Sequence, residues 1–201
     1  MKFNTTFKIL FFASAITLGA CSGTKNSSSK DAMMTDDMMK DKTVMVGGAA
    51  MYPTMNIVEN AVNSKDHTTL VAAVKAADLV STLQSEGPFT VFAPTNAAFD
   101  KLPEGTVATL LKPENKKALQ NVLTYHVVAG DYKAEDILNA IKKGNGKATF
   151  TAVNGGTLTA SLKGKNVIIT DEKGGMSMVT IADVNQSNGV IHVVDAVALP
   201  M

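Results

Sequence analysis

The spacing of apolar residues along the chain changes near Gly144, from the period of a helix to the period of a strand. Before this point, Ile, Val, Leu and Ala recur every three or four residues, which predicts amphipathic helices. A run of β-branched and aromatic residues from Phe89 to Ala93 interrupts them and predicts a short buried strand. Thr95 or Asn96 is expected to cap the helix that follows it. The other predicted helices cover residues 56–63, 68–84, 104–111, 115–125 and 134–143.

After Gly144, apolar and polar residues alternate in short segments that are separated by glycine-containing turns. This alternation predicts strands, and Asn154-Gly155 predicts a tight hairpin turn in which both residues have positive φ. A helical half followed by a strand-rich half predicts one α+β domain over residues 54–201. We expect its helices to pack against one side of a small, mainly antiparallel sheet. The predicted strands cover residues 148–153, 157–162, 167–170, 178–181 and 190–194.

The first twenty residues have a composition of their own. Lys2 and Lys8 precede or flank an apolar run over residues 9–18, which is too short to span a bilayer as a helix. We therefore predict a signal peptide over residues 1–20. The run ends in Leu-Gly-Ala-Cys, which resembles the lipobox of bacterial lipoproteins. This resemblance implies that Cys21 is the site of lipid attachment.

Fatty acyl chains on Cys21 would make the membrane a partner of the chain, because two or more chains hold a protein stably at a bilayer. The expected location is the bacterial cell envelope, with the protein lipid-anchored at the outer membrane or cell surface, or in the periplasm. The alternative is an ordinary signal peptide that is cleaved near Ala20 and leaves a free thiol.

Residues 21–53 are rich in Ser, Lys, Asp, Gly and Met and have no sustained apolar face, which predicts a flexible tether. The tether contains the pairs Met33-Met34 and Met38-Met39, and further methionines follow at positions 45, 51 and 55. Thioethers are soft ligands that suit Cu(I), so a copper-handling tether is one alternative function. The other interpretation is a low-complexity spacer whose later methionines pack on the domain.

The charge balance argues against a nucleic-acid partner. The formal net charge of +1 becomes −1 when residues 1–20 are removed, because two lysines go with them. All 19 basic residues are lysine, so the chain lacks the planar guanidinium that grips phosphate or guanine with two hydrogen bonds. With one cysteine the chain forms no internal disulfide, and the core alone must hold the fold.

Few residues could support catalysis. Residues 175–179 (GMSMV) lack the last glycine of a nucleophile elbow, and Gly146-Lys147 lacks the earlier glycine of a phosphate loop. Three histidines and no carboxylate cluster at ligand spacing predict neither a metal site nor a cofactor. We expect His126, at a helix end, and His192, in an apolar strand, to be hydrogen-bonded structural residues. The chain is therefore not expected to be an enzyme, and a hydrolase that uses one of these histidines is the alternative.

Three segments are similar to the signature segments of the fasciclin domain, in their order and at about its spacing. They are residues 89–103 (FTVFAPTNAAFDKLP), 123–126 (LTYH) and 187–200 (SNGVIHVVDAVALP). The resemblance covers roughly residues 54–200. It implies a single fasciclin-type domain, a compact wedge of strands with flanking helices, typical of extracellular adhesion proteins. It also implies a binding module that contacts an extracellular or envelope protein or a polysaccharide.

The resemblance further implies where a partner binds. In relatives that mediate adhesion, an Asp followed by a bulky apolar residue and a Tyr-His pair contact the receptor. The matching residues here are Asp183 with Val184 and Tyr125 with His126, and Asn188 lies in the last signature segment. The alternative interpretation is that Asp183 ends a strand and that the Tyr-His pair belongs to the core.

Overall fold

A computed structural model describes residues 43–201. The predicted signal peptide over residues 1–20, the predicted lipid site at Cys21 and the tether up to residue 42 lie outside the described residues. They stay predictions. No helix of the described part is long and apolar enough to cross a membrane.

Seven helices and four short strands make up residues 43–146. Asn56 caps the first helix by accepting hydrogen bonds from the Val58 and Glu59 amides, and the Glu59 carboxylate bonds the Asn56 amide in return. Thr95 caps the fourth helix through the Ala98 amide, as its position predicts. The helices are α1 (Ile57–Ala61), α2 (Thr68–Ala76), α3 (Val80–Leu83), α4 (Asn96–Phe99), α5 (Thr106–Leu110), α6 (Lys116–Tyr125) and α7 (Ala134–Lys143), with 3-10 turns at Lys65–His67 and Pro113–Asn115.

Nine strands form two sheets within residues 43–201. Strands β1 (Val44–Val46) and β2 (Ala49–Met51) make a separate hairpin. The other seven form one sheet in the order β4-β3-β9-β8-β7-β6-β5. All neighbours in it are antiparallel except β3 and β9, which run parallel with Phe89 opposite Gly189 and Pro94 opposite Val194. These strands are β3 (Phe89–Pro94), β4 (Val127–Ala129), β5 (Lys147–Thr151), β6 (Thr157–Lys163), β7 (Asn166–Thr170), β8 (Met176–Gln186) and β9 (Gly189–Val194).

The predicted α+β class is confirmed, but the helices cover both faces of the sheet rather than one. Along β3, Phe92 packs with Ile137 and Ile141 of α7. Its neighbour Val91 packs on the other side with Ile57 of α1 and with the β1–β2 hairpin. Because successive strand residues point to opposite faces, α7 and α1 lie on opposite sides of the sheet.

Several local predictions were wrong. The helix predicted over residues 68–84 is broken, because Asp78 adopts a positive φ of 54° between α2 and α3. Strand β4 was not predicted. In the Asn154-Gly155 turn only Gly155 has positive φ, so the predicted turn type is wrong. Strand β8 is much longer than predicted and contains two bulges, and Asp183 lies in the second of them with a φ of 57°.

The folded domain also begins earlier than predicted. Residues 44–51, assigned above to the tether, form the β1–β2 hairpin, in which Val46 and Met51 are buried. The Lys65 amide donates a hydrogen bond to the Gly47 carbonyl and ties the hairpin to the 3-10 turn. The alternation of VMVGGAAM around two glycines is a hairpin signal that the polar, Met-rich composition of the preceding residues concealed. Met51 therefore packs in the core.

Candidate functional site: two predicted contact motifs, a polar cleft and an apolar cavity

Tyr125, a predicted contact residue, is buried at the end of α6 with no solvent exposure. Its hydroxyl donates to the Thr157 carbonyl at 2.7 Å and accepts from the Glu172 amide at 3.1 Å. Burial raises the pKa of this hydroxyl. The side chain joins α6 to the start of β6 and to the turn after β7.

His126, its predicted partner, follows α6 and is also buried. Nδ1 lies 2.8 Å from the Val122 carbonyl, and the Ala198 amide donates to Nε2 at 3.0 Å. The ring can serve both groups only when it is neutral, with its proton on Nδ1. Burial lowers the pKa of His126 and favours that state. The ring therefore holds the C-terminal residues against the helix end.

Asp183 and Val184 occupy the bulge of β8. Val184 is buried in the core. The Asp183 carboxylate accepts a hydrogen bond from the Ala134 amide at 2.7 Å, at the first residue of α7. It thus supplies an acceptor to a helix N-terminus from a distant strand. His192 lies beside it, where Nδ1 accepts from the Asp183 amide at 3.4 Å and Nε2 lies 2.8 Å from the Tyr132 carbonyl.

Asn188 binds three backbone groups between β8 and β9. Its carbonyl oxygen accepts from the Ile57 amide at 3.1 Å, and its amide donates to the Leu83 carbonyl at 2.8 Å and the Ser85 carbonyl at 3.0 Å. These bonds join α1 and the end of α3 to the sheet. Asn188 is thus a brace whose side chain is only partly exposed.

The structure does not bring the predicted contact residues together on one surface. A buried side chain cannot reach a partner, so Tyr125, His126 and Val184 do not form a contact surface in this fold, and this part of the prediction is corrected. The alternative interpretation, in which the Tyr-His pair belongs to the core, fits the burial. Asp183 and Asn188 are partly exposed, but their polar atoms bind the backbone.

A polar cleft lies beside Asn188, with a volume of about 670 Å³. Three loops and the start of α1 form it: the segment before β3, the segment before α7 and the β8–β9 turn. Amide side chains dominate its lining, and Glu86, Asp131 and Lys133 add exposed charges. Its amide-bearing residues are Asn56, Gln84, Asn185, Gln186 and Asn188. The amides of Asn56, Gln186 and Asn188 already bind groups of the protein itself, so the exposed Gln84 and the three charged side chains are the groups that the cleft offers most directly to a polar partner. Sequence reasoning identified only Asn188 of this cleft.

A second, apolar cavity lies between the helices and the sheet, on the side of α1 and α2. Its lining includes His67, which sequence reasoning did not single out. The Ser64 hydroxyl lies 2.9 Å from Nδ1 of His67, and both residues are buried. Nε2 has no hydrogen-bond partner within residues 43–201. The spacing of a serine and a histidine three residues apart before a helix was the one signal in the sequence.

The buried histidines lack the arrangement of a hydrolase. Both ring nitrogens of His126 and of His192 face backbone groups, so neither is free to accept a proton from a nucleophile. The Ser64–His67 pair has a hydroxyl beside an imidazole, but in the part of the chain described no carboxylate orients Nε2. Over the same residues, no three His, Cys, Asp or Glu side chains gather as a metal site.

Comparison with known proteins identifies the class. The model of the fasciclin domain matches residues 65–200. Protein sll1483 of Synechocystis sp. is 48% identical over 160 residues, which cover 80% of this chain and 82% of that one. The immunogenic protein MPB70 of Mycobacterium bovis is 34% identical, over 70% of this chain and 66% of its own. Human periostin is 32% identical over 67% of this chain but only 15% of its own length.

A solved structure shows the same fold. It is a domain pair from the insect cell adhesion molecule Fasciclin I, which matches with a TM-score of 0.64 at 15% sequence identity. The match covers 76% of this chain and 56% of the pair. The molecule is thus an α+β domain of the kind found in cell-adhesion and extracellular proteins. The chain belongs to the fasciclin domain family, as its three signature segments predict.

Proposed function

We propose that this protein is an extracytoplasmic adhesion module that contacts a protein or a polysaccharide through the polar cleft beside Asn188. Fasciclin domains occur in cell-adhesion and extracellular proteins, and the fold matches that of an insect cell adhesion molecule. The observation that carries the proposal is the cleft itself. It gathers amide and charged side chains on three loops, whereas Tyr125, His126 and Asp183 bind the protein's own backbone.

The chemistry of the cleft suits a polar partner. The exposed amide of Gln84 can donate and accept hydrogen bonds at once, so it can bind a hydroxyl of a sugar or the backbone of a peptide. The charges of Glu86, Asp131 and Lys133 at its edge add direction to an encounter. Many copies of the cleft on one surface can raise the strength of attachment above that of a single copy by about 10² to 10⁴.

Competition for cell attachment tests this function. The purified chain should reduce the attachment of whole bacterial cells to the surface that they colonise. The Glu86→Ala, Lys133→Ala double variant should compete with the cells at least about fivefold less well. The matched control is Glu114→Ala, Lys117→Ala, which removes the same charges from exposed positions outside the cleft. Equal competition by both variants would show that the cleft is not the contact surface.

We further propose that the lipid on Cys21 holds the module at the membrane of a bacterial cell envelope. The lipobox resemblance supports this proposal, and two or more acyl chains suffice for stable anchoring. Intact mass of the mature protein should exceed the mass of the chain from Cys21 by that of its acyl groups, and Cys21→Ser should abolish the increase and release the protein from membranes. An unmodified thiol in the membrane-free fraction would contradict it.

A further inference from the structure

Five lysines gather at one end of the seven-stranded sheet, and we call them the basic edge. Helix α7 ends there, β5 begins there, and the turn between β6 and β7 lies there. The Gly146 amide donates to the Ile141 carbonyl, and the Lys147 amide donates to the Gly144 carbonyl, so the end of α7 stays close to the start of β5. The basic edge consists of Lys142, Lys143, Lys147, Lys163 and Lys165, which are all exposed.

The basic edge has no acidic neighbour within its own stretch of chain. Residues 137–170 contain these five lysines and neither aspartate nor glutamate, whereas the other described residues carry fourteen acids and eight lysines. Asp136 lies in the first turn of α7 and Asp171 follows β7, each at the far end of its element from the basic edge. None of the five ammonium groups forms an ion pair within residues 43–201. Positive charge is therefore concentrated at one end of a domain that is otherwise acidic.

Rows of hydroxyl side chains lead away from the basic edge on one face of β5 and β6. Directly opposite residues of antiparallel strands point to the same face, and here Lys147 lies opposite Ser161 and Thr149 opposite Thr159. The other face of these strands packs against α7 through residues such as Phe150. We call the first side the hydroxyl face. Its exposed or half-buried members are Thr149, Thr151, Thr157, Thr159 and Ser161.

The side chains of the hydroxyl face do not bind the protein itself. In the described part of the chain, none of the five hydroxyls has a hydrogen-bond partner. Neighbouring strands lie about 4.7 to 4.9 Å apart, so these short side chains form a regular and nearly flat array. Strands β5 and β6 place no aromatic or aliphatic side chain on this face. The surface therefore offers donors and acceptors to a hydroxylated partner, and it offers no apolar group for insertion into a bilayer.

The basic edge and the hydroxyl face together select the partner. Ammonium groups attract anions, and a sugar chain presents many hydroxyls. Nucleic acid fits less well, because the face lacks aromatic side chains that stack on bases and the chain contains no arginine. We propose that this surface binds an acidic polysaccharide, with its anionic groups on the basic edge and its hydroxyls on the hydroxyl face. None of these residues lines the polar cleft, so the surface is separate from the one proposed above for adhesion.

Binding of polygalacturonate to the full chain tests the proposal. The unmodified chain should bind this polymer, should bind the neutral polymer dextran far more weakly, and should lose affinity for polygalacturonate as the salt concentration rises. Lys147→Gln, Lys163→Gln should raise the Kd for polygalacturonate at least about fivefold. The matched control is Lys112→Gln, Lys117→Gln, which removes the same charge from exposed positions outside the basic edge and should leave the Kd unchanged.

Removal of hydroxyls separates sugar recognition from attraction by charge alone. Thr149→Val, Thr159→Val keeps a β-branched side chain at both positions and should raise the Kd for polygalacturonate at least about threefold, because two hydroxyls are lost. An unchanged Kd in this variant or in Lys147→Gln, Lys163→Gln would overturn the proposal. Absence of polygalacturonate binding to the unmodified chain would overturn it as well.

Two further measurements distinguish this surface from the polar cleft and from a membrane contact. The cleft variant Glu86→Ala, Lys133→Ala should bind polygalacturonate as the unmodified chain does, and a loss of binding there would place the sugar in the cleft and overturn the proposal. Lys147→Gln, Lys163→Gln should weaken binding to polygalacturonate by a larger factor than binding to phosphatidylglycerol vesicles. A larger loss for the vesicles would overturn the proposal in favour of an anionic membrane.

Discussion

Two regions of the domain each contain a buried, neutral histidine, and they use it in opposite ways. Around His126, both ring nitrogens face backbone groups, and the C-terminal residues close over the ring. Around His67, Nδ1 lies 2.9 Å from the Ser64 hydroxyl, and Nε2 makes no hydrogen bond of ordinary geometry among residues 43–201, although the Ala93 carbonyl lies beside the ring. His126 belongs to a signature segment of the family and holds the fold together. His67 lies outside those segments and is held less completely.

In the region around His126, side chains stabilise the fold by binding the backbone of the C-terminal residues 195–201, here called the strap. The Asp171 carboxylate accepts from the Leu199 amide at 2.9 Å, and His126 accepts from the neighbouring Ala198 amide. The cavity region has polar bonds of its own, because Asn60 binds the Tyr52 backbone and Asn188 binds the backbone of α1 and of the end of α3. The β1–β2 hairpin covers the region through Val46 and Met51. Side-chain to backbone bonds therefore fasten both regions, and the two differ in whether the histidine itself takes part on both sides of its ring.

The same substitution in both histidines should separate the two regions most clearly. His126→Leu leaves the Val122 carbonyl and the Ala198 amide buried without partners, and should lower the free energy of unfolding by about 2 to 5 kcal/mol. His67→Leu leaves one buried group, the Ser64 hydroxyl, without its partner, and should lower it by about 1 to 3 kcal/mol. Urea unfolding of both variants measures the difference. Equal losses would mean that His67 is as fully bonded as His126.

The pH dependence of stability should report all three buried histidines. Burial lowers the pKa of His67, His126 and His192, and the nearby charges of Asp66, Asp171, Asp183 and Asp131 offset this only in part. As the pH falls below about 6.5, the unfolded chain takes up protons that the folded chain does not. Stability from these groups is therefore complete above that pH and is lost below it, by at most about 1.4 kcal/mol per pH unit for each histidine.

Urea unfolding at pH 7.5, 6.5 and 5.5 measures this dependence. His67→Leu should remove the contribution of His67 to the pH dependence of the free energy of unfolding. The contributions of His126 and His192 should remain, since these residues keep their bonds. A free energy of unfolding that rises from pH 6.5 to 5.5 would contradict the assignment of neutral, buried rings.

Removal of one hydroxyl from each region should give a smaller contrast. Tyr125→Phe leaves the Thr157 carbonyl and the Glu172 amide without their partner, and should cost about 1 to 3 kcal/mol. Ser64→Ala loses one side-chain hydrogen bond, to His67, and should cost about 0.5 to 1.5 kcal/mol. Thermal unfolding ranks the two variants, and a reversed order would show that the cavity region carries more of the stability.

The smallest effect is expected at the surface of the strap. The Lys101 ammonium lies 3.1 Å from the Asp195 carboxylate, and both side chains are partly exposed. Lys101→Ala should therefore cost about 0.2 to 1 kcal/mol, less at high salt. Unfolding in low and high salt checks this value, with Lys112→Ala as a control at an exposed lysine for which no ion pair is found in the described residues. A loss above 2 kcal/mol would show that the strap depends on this pair.

Much of this architecture could be predicted from the sequence, because period and turn chemistry are local. Helix α7 matches its prediction at both ends, and β3 begins where its apolar run begins. The bulge at Asp183 could not be predicted, since its positive φ depends on a hydrogen bond to α7, far away in sequence. The split of the helix at Asp78 likewise depends on tertiary packing rather than on local propensity.

The candidate sites were harder to predict than the fold. The family resemblance indicated Tyr125 and His126 as contact residues. Aromatic side chains with polar atoms occur both in protein cores and on surfaces, so a sequence pattern cannot tell whether these two residues are buried. The polar cleft joins loops from three parts of the chain. Which hydrogen-bond partners Nε2 of His67 has depends on residues that only the folded structure brings near it. Neither leaves a motif along the chain.

The parallel pairing of β3 with β9 constrains when the domain can form during its synthesis. Phe89 and Gly189 are neighbours in the sheet but lie one hundred residues apart along the chain. Closing so long a segment is slow relative to local pairing, and it cannot begin until β9 is available. A chain delivered through a membrane from its N-terminus would present β3 with an open edge until the last strand arrives. We expect such nascent chains to depend on a chaperone that covers this edge.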